Sequence, residues 1–259
     1  ADFFGFTMAD LVCRPLRQIV GSAVFPALKA HFIKALKGHP VTYERNVQMR
    51  NGEQRYIEVK IVPRSTDQVQ IPGCYFMALD ITEQKRAEER IRHVAEHDSL
   101  TGLPNRLLFN DRLGQAISLA KRNTRQFALL YLDLDKFKQV NDTLGHDCGD
   151  QLLKQVAERI REQVRESDTV ARIGGDEFTV ILHGTSRPQD VGVVAQKIIT
   201  ALTAPYRLRN HPQAVEIGTS IGISIYPSHA QDHETLIKKA DVAMYNAKSQ
   251  GNSFRFSEI

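Results

Sequence analysis

The stretch Arg172-Ile-Gly-Gly-Asp-Glu-Phe178 constrains this 259-residue chain more than any other. Branched residues precede it (Thr169, Val170, Ile173) and an apolar run follows it, Phe178 to Leu182. Two β-prone segments meeting at a Gly-Gly pair predict a hairpin, because both central residues of the tightest turns need positive φ. Asp176 and Glu177 then stand side by side at its tip. Adjacent carboxylates beside bare glycine backbone admit a bulky anion once a metal ion bridges the charges. In isolation the same four residues read as a polar turn, so the weight falls on what surrounds them.

The length suits one large or two ordinary domains. A hydrophobic share of 42% and a charged share of 25% are those of a water-soluble globular chain. The net charge of +4 is mild and no Lys/Arg block stands out, so an anionic small molecule fits and nucleic acid is not called for. Cys13, Cys74 and Cys148 are scattered without a C-x-x-C pair, which argues for a reducing, cytoplasmic compartment and against a cysteine-rich zinc site. No apolar run reaches the length of a membrane helix, so this stretch makes no membrane contact. The chain opens at Ala1 without an initiator methionine and reads as a fragment, leaving room for an anchor upstream.

In the first ninety residues a helix is expected over Ala27 to Leu36, with Pro26 at its start and Gly38-His39-Pro40 ending it. Alternating runs Val41 to Val47 and Tyr56 to Val62 flank Asn51-Gly52, a strong hairpin signal. A third strand, Cys74 to Leu79, leads into Asp80-Ile-Thr-Glu83, spaced as a capping box. From Thr82 to His97 charge dominates, with Ala87, Ile91, Val94 and Ala95 as a narrow apolar stripe. That spacing suits a short two-stranded coiled coil, or a single amphipathic helix lying on its own domain.

Beyond Asp98 the periodicities alternate. Helices are expected at about Asn105–Lys121, Gly149–Arg165, Val191–Leu202 and His233–Lys248. Strands are expected at Phe127–Leu134, across the Thr169–Leu182 hairpin, at Val215–Ile225 and at Ser253–Phe256. Such alternation predicts an α/β (α+β) layer structure, helices packed on a mixed sheet. Chemistry falls at strand ends. Asp133 and Asp135 share one face of their strand by the two-residue period and repel each other unless a cation intervenes. If the hairpin tip lies beside them, Asp133, Asp176 and Glu177 form a hard oxygen cluster suited to Mg²⁺, with Mn²⁺ a possible substitute. Lys136 and Lys138 would add charge for phosphates.

Two resemblances follow. Ala35-Leu-Lys-Gly38, Tyr43-Glu44, Asn51-Gly52 and Asp80-Ile-Thr-Glu-Gln-Lys85 resemble the later two-thirds of a PAS sensor domain, over residues 1–82. Its ligand is unknown from sequence: His31 is the one candidate haem ligand, and a lone helical histidine is more often a surface or core residue. Cys13 stands where that family usually has glycine. Residues 83–97 are then a dimerising signal helix. Asp98-Ser-Leu-Thr-Gly-Leu-Pro-Asn-Arg106, Asp133-Leu-Asp-Lys-Phe-Lys138, Asn141-Asp-Thr-Leu-Gly-His146, Gly149-Asp150, Gly174-Gly-Asp-Glu-Phe178, Ser220-Ile-Gly-Ile-Ser224 and Ala240 to Lys248 resemble the GGDEF diguanylate cyclases across 98–259.

That second resemblance implies a fold like the palm of nucleotidyl cyclases and the joining of two GTP into cyclic di-GMP with release of pyrophosphate. It implies Mg²⁺ on Asp133, Asp176 and the Leu134 carbonyl, with Glu177 in the metal site or accepting the proton of the attacking 3′-hydroxyl. Lys138 and Lys248 would contact phosphates, with Phe137, Gly174 and Gly175 also against the substrate. Asn141 and Asp150 would read guanine, whose ring N–H and amine suit a carboxylate. Each domain would hold one GTP, so the active species would be a homodimer. Arg165-Glu-Ser-Asp168 occupies the family's position for an inhibitory product site; on residues alone it is also a salt-bridged helix end. Where the family usually has Gly-Arg after Lys248, this chain has Gly251-Asn252, which predicts weaker GTP binding. His97-Asp98 and His146-Asp147 imitate the pair of metal phosphohydrolases without their other ligands. The rival reading is a GTP-binding regulatory module of a larger phosphodiesterase; a third makes the sensor half a dimerisation scaffold only.

Overall fold

The structure, a computed structural model, describes residues 12–22, 24–49, 52–64, 73–184, 187–209 and 211–258. The chain divides into two compact units, residues 1–90 and 91–259. In the first, α1 (Leu16–Val20) and α2 (Phe25–Leu36) precede β1 (Val41–Gln48), β2 (Gln54–Pro63) and β3 (Cys74–Asp80). The three strands form an antiparallel sheet in sequence order. Alternation along β2 puts Ile57, Val59 and Ile61 on one face, where they pack with Leu28 and Ala35 of α2. The expected helix and all three strands are present, each extended by one to three residues. The β1–β2 turn includes Asn51, which lies outside the described residues. Cys13 has φ 60, the left-handed backbone that glycine adopts freely.

The unit boundary falls within α3 (Thr82–Glu96). Its start differs from the capping box expected. Asp80 accepts from the Thr82 N–H at 2.9 Å and pairs with Arg55, while Glu83 turns outward to Arg86 at 3.1 Å. A nearby arginine on each acid outcompetes the reciprocal contact. Ile91 and Val94 of the stripe stand 70% and 74% exposed.

The second unit holds α4 (Arg106–Asn123), β4 (Phe127–Asp135), α5 (Phe137–Leu144), α6 (His146–Glu162), β5 (Thr169–Gly174), β6 (Glu177–His183), α7 (Pro188–Thr203), β7 (Gly218–Tyr226), α8 (His233–Lys248) and β8 (Ser253–Phe256). The sheet order is β5-β6-β4-β7-β8, antiparallel except for the parallel β7–β8 pair. β4 is central and buried on both faces until its last residue. Ala128, Leu130, Leu132 and Leu134 face α6 and α7; Phe127, Leu129 and Tyr131 face α4 and α8. This is the mixed sheet with helices on both sides that the periodicity predicts.

Helix ends shift by up to three residues from the sequence reading, α6 ending at Glu162 and α7 starting at Pro188, and three further differences bear on the site. The helix expected from Gly149 begins at His146 and is preceded by α5, an eight-residue helix whose apolar stripe, Phe137, Val140 and Leu144, follows the helical period but spans barely two turns. β7 starts at Gly218; Val215 instead bridges Tyr206 in an isolated pair. The hairpin turns on Gly175-Asp176 rather than Gly174-Gly175, because the ladder continues to a Gly174–Glu177 pair through a bulge after Arg172. Gly175 alone takes the left-handed turn conformation, φ 51. Gly222 answers a packing need: a Cβ there would meet the Ala240 carbonyl oxygen at 1.9 Å and the Met244 nitrogen at 2.2 Å, so α8 lies on β7 backbone to backbone.

Candidate active site

The site is built where β4 ends. Antiparallel pairing sets Asp133 opposite Glu177 on one side and Ser220 on the other. The hairpin tip docks on the same strand, the Leu134 N–H donating to the Asp176 carbonyl at 3.3 Å. Sheet register therefore brings Asp133, Leu134, Asp176 and Glu177 together from segments some forty residues apart. α8 contributes its last residue: Lys248 Nζ lies 2.8 Å from Asp133 Oδ1.

Electrostatics at this point are tense. Burial pushes the Asp133 carboxyl above the usual carboxylate range against the lowering hydrogen bond from Lys248, and the Asp176 charge adds to the rise. Burial works against the Lys248 charge, yet the Asp133 hydrogen bond and the Asp133, Asp176 and Asp135 charges raise its pKa overall. Among the described residues no three acidic, histidine or cysteine groups converge on one metal position. Even so, the donor set fits a hard cation: a buried carboxylate, repelled by a neighbour, already leans on the nearest ammonium. Asp135, on the same face, adds its charge but is held by other partners. Its oxygens accept from Ser220 Oγ at 2.7 Å and the Asn252 N–H at 3.1 Å.

The remaining expected residues fall into three places. Asn141 on α5 lies over Gly149 of α6, and Asp150 is exposed on α6, so both flank the α5–α6 junction. Phe137 is buried in the core against that junction, leaving only its backbone for a ligand at the α5 start. Lys138 is exposed on α5, whereas Lys136, in left-handed backbone at φ 65, lines a cavity of about 800 Å³ together with Lys248 and Asn252. Asn252 is itself left-handed, φ 45, and its side-chain oxygen accepts from the Thr219 N–H at 3.2 Å.

Arg165 and Asp168 do not form the salt bridge of a simple helix end. Asp168 accepts from the Arg165 N–H and the His183 N–H, both at 3.0 Å. The pair borders a second cavity of about 740 Å³ that Arg112 and Arg161 also line. The first decoy pair dissolves: Asp98 is bound to Arg172, and His97 Nδ1 contacts the His93 carbonyl at 3.1 Å. In the first unit His31 stacks on Tyr43, centroids 4.4 Å apart.

Sequence reasoning missed two neighbours of Glu177. Arg106 approaches it to 4.0 Å. Tyr131, two residues before Asp133 and thus on its face, has its hydroxyl pushed up to about 12 by burial and then by the Glu177 and Asp241 charges. The two-residue period would have found Tyr131. Arg106 closes a helix-start motif and carries no such signal.

A family model described as the diguanylate cyclase GGDEF domain matches residues 95–253, and one for the PAS fold matches residues 1–86. Among curated proteins, the bifunctional diguanylate cyclase/cyclic di-GMP phosphodiesterase MucR of Pseudomonas aeruginosa is 48% identical over 68% of this chain and 26% of its own length. Diguanylate cyclase TpbB of the same species is 46% identical over 64% of this chain and 38% of its own. The chain thus spans well under half the length of either. The solved GGDEF domain of TpbB superposes with a TM-score of 0.61 at 47% identity, covering 62% of this chain and 94% of that one. The coiled coil and GGDEF domain of DgcB from Caulobacter crescentus, solved in complex with cyclic di-GMP, gives 0.62 at 29% identity over 68% and 92%.

Proposed function

Because the chain belongs to the GGDEF diguanylate cyclase family and carries a PAS fold before it, we propose that it condenses two GTP into cyclic di-GMP and two pyrophosphates. The observation that carries this reading is the register that sets Asp133 opposite Glu177, with Lys248 on the same carboxylate. Asp133, Asp176, Glu177 and the Leu134 carbonyl would hold Mg²⁺, which neutralises charge developing on the attacking and leaving oxygens. Asn141 and Asp150 orient guanine, and a purine lacking guanine's donors leaves Asp150 unpaired. The 3′-oxygen of one GTP attacks the α-phosphorus of the other as the bond to the β-phosphate breaks. The hydroxyl proton passes to Glu177, and pyrophosphate departs with the bonding electrons. Two such transfers close the ring.

With one GTP on each domain, two copies must face each other. The exposed Ile91–Val94 stripe of α3 suits that pairing, and the preceding unit would set how often the half-sites meet. Arg165 and Asp168, beside Arg112 and Arg161, offer guanine and phosphate contacts for bound product as a brake. The test is incubation with GTP and Mg²⁺ beside Asp176→Ala: cyclic di-GMP from the parent alone is expected. GTP binding without product would favour the regulatory module, a reading supported by the phosphodiesterase in the name of MucR.

A further inference from the structure

Glu177 is the first residue of β6, at the hairpin tip, and its side chain is 34% exposed. Arg106 Nη2 approaches it only to 4.0 Å, from a side chain 65% exposed, a contact too loose to fix a flexible carboxylate. Tyr131 is differently placed. It belongs to the central strand β4, and its ring is buried with Phe109, Leu113 and Met244. Register sets Tyr131 opposite Thr179 and Asp133 opposite Glu177, so Tyr131 and Glu177 are diagonal neighbours on one face, a separation that an aromatic side chain spans. On its other side Tyr131 faces Gly222, where α8 seats on bare backbone and brings Asp241 alongside. The phenol thus stands among two carboxylates and one guanidinium. A phenol is protonated at neutral pH, and burial with the Glu177 and Asp241 charges reinforces that state, leaving it a hydrogen-bond donor.

We infer that Tyr131 is a positioning residue, whose hydroxyl donates to Glu177 and holds that carboxylate beside Asp133 with its free oxygen aimed at the reaction centre. This role rests on the cyclase reading and adds to it a residue that acts only through Glu177. The donor sits on the buried central strand, so its place does not depend on the hairpin tip it steadies. No bond forms or breaks at Tyr131; the proton of the attacking 3′-hydroxyl still passes to Glu177. A carboxylate slightly out of line slows the transfer without loosening the substrate. Guanine and phosphates are held elsewhere, so the effect falls on kcat and spares KM.

Tyr131→Phe keeps the ring in its apolar cluster and deletes only the donor. In steady-state formation of cyclic di-GMP, kcat should fall about tenfold or more, while KM for GTP and the denaturation midpoint stay unchanged. Glu177→Asp withdraws the carboxylate by one methylene, and in that background Tyr131→Phe should cost less than about twofold. Unchanged kcat in Tyr131→Phe overturns the proposal. So does a fall in kcat accompanied by a lower midpoint or a higher KM, which marks a packing role. A full loss repeated in the Glu177→Asp background also overturns it, because the hydroxyl then acts through another group. A parent that binds GTP yet forms no cyclic di-GMP removes the cyclase reading, and this role with it; an active parent with an equally active Tyr131→Phe removes the role alone.

Discussion

Arg172 grips Asp98 with one nitrogen and the Gly175 carbonyl with the other two. Nη1 lies 2.9 and 3.1 Å from the two Asp98 oxygens, and Nε and Nη2 lie 3.0 and 2.7 Å from Gly175 O. Arg172 also donates its N–H to Pro104, while Asn105 reaches back to the Ala95 and Glu96 carbonyls. The guanidinium thus ties the turn bearing Asp176 to the segment that follows α3.

Asp98→Asn should therefore cost about 1.5–3 kcal/mol, the worth of a charge-assisted contact, read from chemical denaturation. Burial works to raise the Asp98 carboxyl, but hydrogen bonds from Thr101 and Arg172 outweigh it and hold it below the usual range. A depressed folded pKa gives stability that is present above the unfolded value and is lost as pH falls through the folded one. The gap between parent and variant should accordingly be constant near neutrality and close below about pH 4. A gap that persists in strong acid would contradict this assignment.

Asp133→Asn should separate stability from activity. A carboxyl whose folded pKa is raised destabilises the fold above that pKa and not below its unfolded value. Removing the charge should leave the denaturation midpoint at pH 7 equal or higher, the difference fading toward pH 4. Cyclic di-GMP formation should fall on the order of 10²-fold or more.

Asn252→Arg carries two opposed effects. A cation at the cavity lip should lower KM for GTP. The residue it replaces holds left-handed backbone and caps the Thr219 N–H, so stability should drop by about 1–2 kcal/mol. Steady-state kinetics and thermal denaturation on one preparation check both; an unchanged KM would sink the first.

Arg159→Ala tests how the end of α7 is held against α6. Its guanidinium donates to the Ala201, Ala204 and Pro205 carbonyls at the end of α7 and lies 3.6 Å above the Tyr206 ring. The expected loss is about 2–4 kcal/mol in denaturant, with GMP affinity preserved.

Much of the fold is legible in the sequence, and the reasons are local. β8 and α8 matched their expected ends: an amphipathic helix writes its period into every residue, and the half-buried edge strand β8 is bounded by the Gly251-Asn252 turn signal. The pairing of Asp133 with Glu177 was only conditional, since register depends on which strands neighbour each other, and period two leaves that open. α5 was illegible for another reason. Phe137, Val140 and Leu144 do keep the helical period, but eight residues are barely two turns, shorter than the window over which a period separates a helix from a loop.

The close seat of α8 on Gly222 has a consequence at a distance. Lys248 is the final residue of that helix, so the helix acts as a lever whose fulcrum lies more than a turn before its tip. Where the ammonium sits relative to Asp133 is decided by the missing side chain on β7, as a hinge pin decides where a door meets its frame. A single methyl group at Gly222 would lift the helix from the sheet and carry the lysine off its carboxylate, without touching any group that meets GTP.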